Sequence, residues 1–249
     1  MAHEKIPPRA RLGFIIPSSN RMAEPNIQRF TPQGVVPHFM RLRMTGPHSV
    51  ALDDLLPRIS DAAAILGDAK CDVTVLHCTG TSMSGGFGAE RGVIDAIEKA
   101  TGRPGLTTAT CLMTALAALG ARRLVFISES PEAGHGKKRD FMVEAGYDIV
   151  ADRAACLAGS DESCVTPPAF WVDLAKQVAV PEAEAVFISC ANIHAIDAIE
   201  EIEAALGCPV VTSNQVVLWH ALRTAGINDA LPGLGRLGAI AEAPAQAAE

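Results

Sequence analysis

The sequence predicts an α/β protein built as two similar α/β halves, each a parallel sheet flanked by helices. Three observations carry this. Short apolar runs alternate with segments of helical period, the pattern of βαβ units. The runs are continuously apolar, as in strands covered on both faces. The pattern also repeats along the chain: a shift of 112 places Arg11, Leu12, Phe14 and Ile15 on Arg123, Leu124, Phe126 and Ile127.

In order, the predicted strands are LGFIIP (12–17), DVTVLHC (72–78), LVFIS (124–128), AVFISC (185–190) and PVVTS (209–213). Helical period occupies 53–67, 88–101, 111–119, 137–146, 169–179, 193–206 and 215–225. The 112 shift also takes Asp72 to Glu184, Leu76 to Ile188 and Cys78 to Cys190. A shift of 105 pairs Gly102-Arg103-Pro104 with Gly207-Cys208-Pro209, and Thr107-Thr108 with Thr212-Ser213. The expected halves are 1–117 plus 219–249, carrying Cys78, and 118–218, carrying Cys190.

Composition bounds the function. Apolar residues make up 49% of the 249 residues and aromatics 4%, which suits a large helix-on-sheet core. A net charge of -7 with no basic stripe argues against a nucleic-acid partner. No apolar run approaches the roughly 20 residues of a membrane helix. The start, MAHEKIPPRARLGF, lacks the apolar centre of a signal peptide, so a cytoplasmic location is expected. Seven cysteines without a CxxC fit reduced thiols better than a disulfide framework or zinc site. The seven histidines show no metal-ligand spacing.

Ligands in open parallel sheets bind beyond the carboxyl ends of the strands. Cys78 and Cys190 both stand there, each before small polar residues and an expected helix N-terminus. Cys78 precedes Thr79 and Gly80; Cys190 precedes Ala191 and Asn192. Backbone N–H groups at such a place favour a thiolate, lowering the thiol from about 8.5. They also suit a substrate carboxylate. Cys71, Cys111, Cys156, Cys164 and Cys208 read instead as small core residues. Pro17-Ser18-Ser19-Asn20 reads equally as a carboxylate-binding loop or as a turn with a helix cap. His77 points to the opposite strand face from Cys78 and reads as structural. His194 fits either the cleft edge or a structural role. Asp161-Glu162 and Glu182–Glu184 read as solvated loop charges. Gly233-Leu-Gly-Arg-Leu-Gly238 has the letters of a dinucleotide loop, but it follows no strand run.

Several segments together resemble one family. They are Gly13-Phe-Ile-Ile-Pro-Ser-Ser-Asn20 with Glu24, Cys78 with Gly85-Gly86, and Ala100-Thr-Gly-Arg-Pro104. Ala118-Leu-Gly-Ala-Arg-Arg123, Ile188-Ser-Cys190 and Pro232-Gly-Leu-Gly-Arg-Leu237 complete the set. The chain resembles the aspartate/glutamate racemase superfamily, and within it the branch of maleate cis-trans isomerases and arylmalonate decarboxylases. The resemblance implies two pseudo-twofold-related Rossmann-like halves with the active site in the cleft between them, no cofactor and no metal, and a homo-oligomer. It implies Cys78 and Cys190 as catalytic thiols. Ser18, Ser19, Asn20, Thr79, Gly80, Ser130, Ala191 and Asn192 become the contacts for a small-molecule carboxylate.

Decarboxylases of the branch carry glycine at the first cysteine position, so two cysteines favour an isomerase, with maleate as the model substrate. Three alternatives stay open: a racemase of amino acids or hydantoins, a malonate-type decarboxylase aligned on Gly80, and a carboxylate-binding relative without catalysis. This chain has Ser130 where the isomerases carry a tyrosine, and Ser160-Asp161 near an expected asparagine.

Overall fold

The computed structural model describes residues 7–43 and 52–244; His3, His48 and the outer ends of the expected first half lie outside them. The first half runs β1 (Ala10–Pro17), α1 (Ala23–Phe30), β2 (Val35–Leu42), α2 (Leu52–Asp68) and β3 (Val73–Leu76). It continues through α3 (Thr79–Met83), α4 (Glu90–Thr101), β4 (Gly105–Thr107) and α5 (Thr108–Leu119). The second runs β5 (Arg123–Ser128), α6 (Glu132–Glu144), β6 (Asp148–Ala154), α7 (Ser160–Ser163), α8 (Pro168–Val178) and β7 (Ala185–Ser189). A 3₁₀ turn (Ala195–Ala198), α9 (Ile199–Leu206), β8 (Val210–Thr212), α10 (Ser213–Thr224) and α11 (Gly235–Gly238) follow.

Each half holds a four-stranded parallel sheet. The orders are β2-β1-β3-β4 and β6-β5-β7-β8, the same arrangement twice. The 112 shift holds at the level of pairing. Leu12 opposes Val73 as Leu124 opposes Ala185, and Phe14 opposes Val75 as Phe126 opposes Phe187. Central strands are fully buried on both faces, which is why their sequences read as unbroken apolar runs.

Three strands escape the apolar-run criterion. The edge strands β2 (VVPHFMRL) and β6 (DIVADRA) are half-exposed and carry polar residues, and β2 contains Pro37. Strand β4 is only three residues long. Cys190 departs further from expectation: an irregular loop and the 3₁₀ turn follow it, so no α-helix starts there.

The 105-shifted pair proves to be two matching helix caps. Thr107 accepts from the Thr110 N–H at 3.1 Å, and Thr212 from the Gln215 N–H at 3.4 Å. Each third residue bonds back to the cap's own N–H, closing a capping box at the start of α5 and of α10. The glycine-rich tail is packing. A Cβ at Gly238 would lie 2.4 Å from the Leu231 carbonyl oxygen, so only glycine fits.

Among the described residues no helix is long and apolar enough to cross a membrane. None of their His, Cys, Asp and Glu side chains form a group of three able to hold a metal.

Candidate active site

In each parallel sheet the connections lead to opposite sides of the β1/β3 and β5/β7 boundaries, so the strand order switches there. A crevice opens at such a switch point. The loops after β1, β3, β5 and β7 therefore converge between the halves, joined by the segment 157–163 after β6. They line a cavity of about 670 Å³.

Of the predicted site residues, Ser19, Asn20, Cys78, Thr79, Gly80, Ser130, Cys190, Ala191 and Asn192 all line this cavity. Ser18 does not. Its side chain is exposed and its N–H is taken by the Leu42 carbonyl at 2.7 Å, so its assignment as a substrate contact is corrected. Asn20 both lines the cavity and caps α1, accepting from the Met22 and Ala23 N–H groups at 3.0 and 2.8 Å. Asn192 spends its amide on structure. It accepts from the Arg21 N–H at 2.8 Å and donates to the Ser160 carbonyl at 3.0 Å.

The two thiol loops are tied through one hydroxyl. Ser213 Oγ accepts from Thr79 Oγ1 at 2.8 Å and from the Cys190 N–H at 3.1 Å. Cys190 is held at φ 137°, which few non-glycine residues adopt. Such backbone persists only where the surroundings enforce it, and it clusters at functional sites. His77 is structural. It donates through Nε2 to Asn214 Oδ1 at 2.7 Å and accepts through Nδ1 from Thr108 Oγ1 at 3.1 Å. The Asn214 amide donates elsewhere, to the Ala191 carbonyl, which assigns that tautomer. Burial lowers His77 to about 4, so the ring is neutral. His194 packs on the Cys164 carbonyl, outside the cavity lining.

The expected acidification of the thiols is corrected. Burial pushes Cys78 above its ordinary value despite the Thr81 hydroxyl and N–H, and it pushes Cys190 well above. Losing water costs the thiolate more than nearby donors return. Two further readings change. Cys156 is exposed, not a core residue. Glu184 is no free surface charge, since it accepts from the Arg122 and Arg123 N–H groups at 2.7 and 3.0 Å. Asp161 likewise pairs with Arg21 across the cleft rim.

Sequence reasoning missed the most polar feature of the cavity. Glu129 and Lys138 line it as an ion pair, with Lys138 Nζ at 2.9 and 3.1 Å from the carboxylate oxygens and 2.9 Å from Ser130 Oγ. Both side chains are largely buried. Burial is the largest influence and opposes both charges, but the partner's charge and the hydrogen bonds together outweigh it. Glu129 therefore lies below its ordinary value and Lys138 above. The available signal was position, because Glu129 directly follows an apolar strand run at a sheet's carboxyl edge.

The family model described as arylmalonate decarboxylase matches residues 12–238. Arylmalonate decarboxylase of Bordetella bronchiseptica is 30% identical over 188 residues, covering 74% of this chain and 78% of the relative. Maleate isomerase of Pseudomonas putida is 25% identical over 240 residues, covering 91% and 96%. A solved mutant of the Nocardia farcinica maleate cis-trans isomerase, with a covalently bound succinylcysteine intermediate, superposes with a TM-score of 0.84. It is 24% identical, and the match covers 92% of this chain and 98% of that one. With a cavity between two like halves and a family match over most of its length, the chain belongs to the arylmalonate decarboxylase family.

Proposed function

We propose that the protein is a cofactor-independent isomerase of a small unsaturated carboxylate, working by maleate isomerase-like cis-trans chemistry on two cysteines. The observation that carries this reading is that Cys78 and Cys190, related by the 112 shift, end equivalent strands and line one cavity. A decarboxylase of this family, by resemblance, has glycine where Cys78 stands. The full-length similarity to maleate isomerases supports the same choice.

In this reading the Cys78 thiolate adds to one alkene carbon, forming a C–S bond. The π pair moves onto the neighbouring carbon and its carboxylate. The Cys190 S–H protonates that carbon, leaving a single bond free to rotate. Cys190 then takes a proton back, the C–S bond breaks, and the trans acid leaves. This is nucleophilic catalysis with acid-base assistance. The succinylcysteine of the Nocardia relative is the kind of adduct such a path passes through. Donors of Ser19, Asn20, Thr79, Gly80 and Ser130 hold the carboxylate oxygens. Ala191 and Asn192 shape the second thiol loop.

The same reading divides the chain into 1–117 plus 219–249 and 118–218, and places the protein in the cytoplasm as a homo-oligomer. Incubation with maleate in D₂O, followed by proton NMR, tests the activity. Fumarate is expected, and it disappears in Cys78→Ser. Fumarate-free spectra with deuterium entering an amino acid's Cα instead establish a racemase, and loss of CO₂ from an aryl malonate a decarboxylase.

A further inference from the structure

We propose that Lys137 makes this cavity a site for an acid larger than a four-carbon diacid, one that carries a further anionic group on a side arm directed to the α6 wall. The inference rests on the isomerase reading above and deepens it by naming the class of substrate.

The charges of the cavity lining carry the argument. Glu129, Lys137 and Lys138 are its charged residues. Glu129 and Lys138 neutralise each other. Lys138 Nζ lies 2.9 and 3.1 Å from the Glu129 oxygens and 2.9 Å from Ser130 Oγ, so its protons are engaged. Lys137 is paired with no carboxylate among the described residues. Asp140, the acid at helical contact spacing from it on α6, pairs with Arg139 at 3.5 Å. Across the rim, Arg21 and Asp161 satisfy each other. The cavity is therefore left with one uncompensated charge, and it is positive.

A solvated lysine on a helix needs no explanation by itself. Lys137 differs because it is exposed and still lines the cavity, so it stands where the cavity meets water. The wall beside it is also cleared of bulk. Helix α6 holds Gly134 and Gly136 in its first turns, where glycine is less favourable than alanine. Gly134 lines the cavity, and a Cβ there would crowd the Ser130 Cβ at 3.1 Å. Lys137 follows Gly134 by one turn on the same helix face. The start of α6 has Pro131 as its N-cap and no side chain bonded to its N–H groups. Those groups and the helix dipole favour an anion on the same wall.

Size agrees with charge. At about 670 Å³ the cavity lies in the range that takes drug-sized ligands, roughly 300–1,000 Å³. The thiols come from the loops after β3 and β7, whereas Lys137 comes from α6, after β5. A substrate that meets both must extend from one wall to the other. Its arm takes no part in bond making: the distal anion pairs with the Lys137 ammonium while the alkene and its own carboxylate sit at the thiols.

The test uses saturated acids, which bind without turnover, so it stands apart from the isomerase reading. That reading fails separately if maleate yields no fumarate. Isothermal titration calorimetry at low salt compares succinates bearing carboxylate-ended arms of increasing length with succinates bearing carboxamide-ended arms of the same lengths. The best carboxylate arm is expected to bind about fivefold tighter than its carboxamide match. That ratio should shrink as salt is raised. Lys137→Ala, which leaves no buried group unpaired, should bring the ratio to about one, and Lys137→Arg should keep it. Equal binding of the two series by the unaltered protein, no binding of either, or a ratio that survives Lys137→Ala overturns the proposal.

Discussion

The two halves share strand order, pairing register and helix caps, yet the loops they send to the cavity differ. After β1 comes Ser18-Ser19-Asn20; after β5 comes Glu129-Ser130-Pro131. The first thiol is followed directly by α3; the second is itself at a strained φ and is followed by an irregular loop and a 3₁₀ turn. Scaffold symmetry follows from burial, which asks the same of both sheets. Chemistry needs inequivalent groups on the two faces of a substrate, so asymmetry is confined to loops that bury little apolar area.

The sharpest way to break the comparison is to treat the two cysteines alike. Cys78→Ser should cost about 10³-fold or more in kcat for cis-trans turnover, since the nucleophile is gone. Cys190→Ser should also stop turnover, but it should gain the mass of one substrate on Cys78 by intact-protein mass spectrometry. Equal adduct formation in both variants would show that the two thiols are interchangeable.

Stability against pH is the next largest effect, and it too separates the halves. His77 and His220 are both lowered by burial to about 4. An unfolded histidine near 6.5 binds its proton first, so folding stability is complete above that pH and falls as pH drops toward 4. Each contributes about 3 kcal/mol over that window by the 1.36 kcal/mol per unit rule. The position equivalent to His77 is Ser189, so the second half has no such sensor at its strand end. Urea unfolding at pH 7 and pH 5 measures the slope, and no change between them would refute it.

Breaking the ion pair of the second half should matter almost as much. Lys138→Met strands Glu129 without its cation and is expected to cost about 3 kcal/mol in urea unfolding. Restoring neutrality with Glu129→Gln in the same chain should recover much of that loss. The smallest effect tests where the halves agree: Thr107→Ala and Thr212→Ala each remove one capping box and should each cost about 1 kcal/mol. A large inequality between them would mean that the repeat is one of topology and not of local energetics.

Much of the site was legible because strand ends are where parallel sheets present their ligand groups. Cys78 and Cys190 stood out as thiols at equivalent ends of apolar runs, and both line the cavity. Asn20 was readable as a cap or as a cavity residue and is both. Ser18 was misread because an exposed serine and a cavity serine look the same in a loop; only the β2 backbone taking its N–H separates it from Ser19. The edge strands β2 and β6 were invisible for a related reason. An edge needs only half its surface buried, so its composition is not that of a core strand.

By itself the sequence determined the alternation of strands and helices, the 112-residue repeat and the two thiols, because burying strands on both faces leaves a continuous apolar signature. Tertiary structure alone decided what surrounds each sulfur. Glu129, Lys138 and Ser213 lie far from at least one cysteine in the chain and meet the thiol loops only when the halves close. Desolvation then turned two cysteines expected to be acidic into thiols raised by burial. Electrostatic environment depends on three-dimensional distance and excluded water, and neither has a local signature in a sequence.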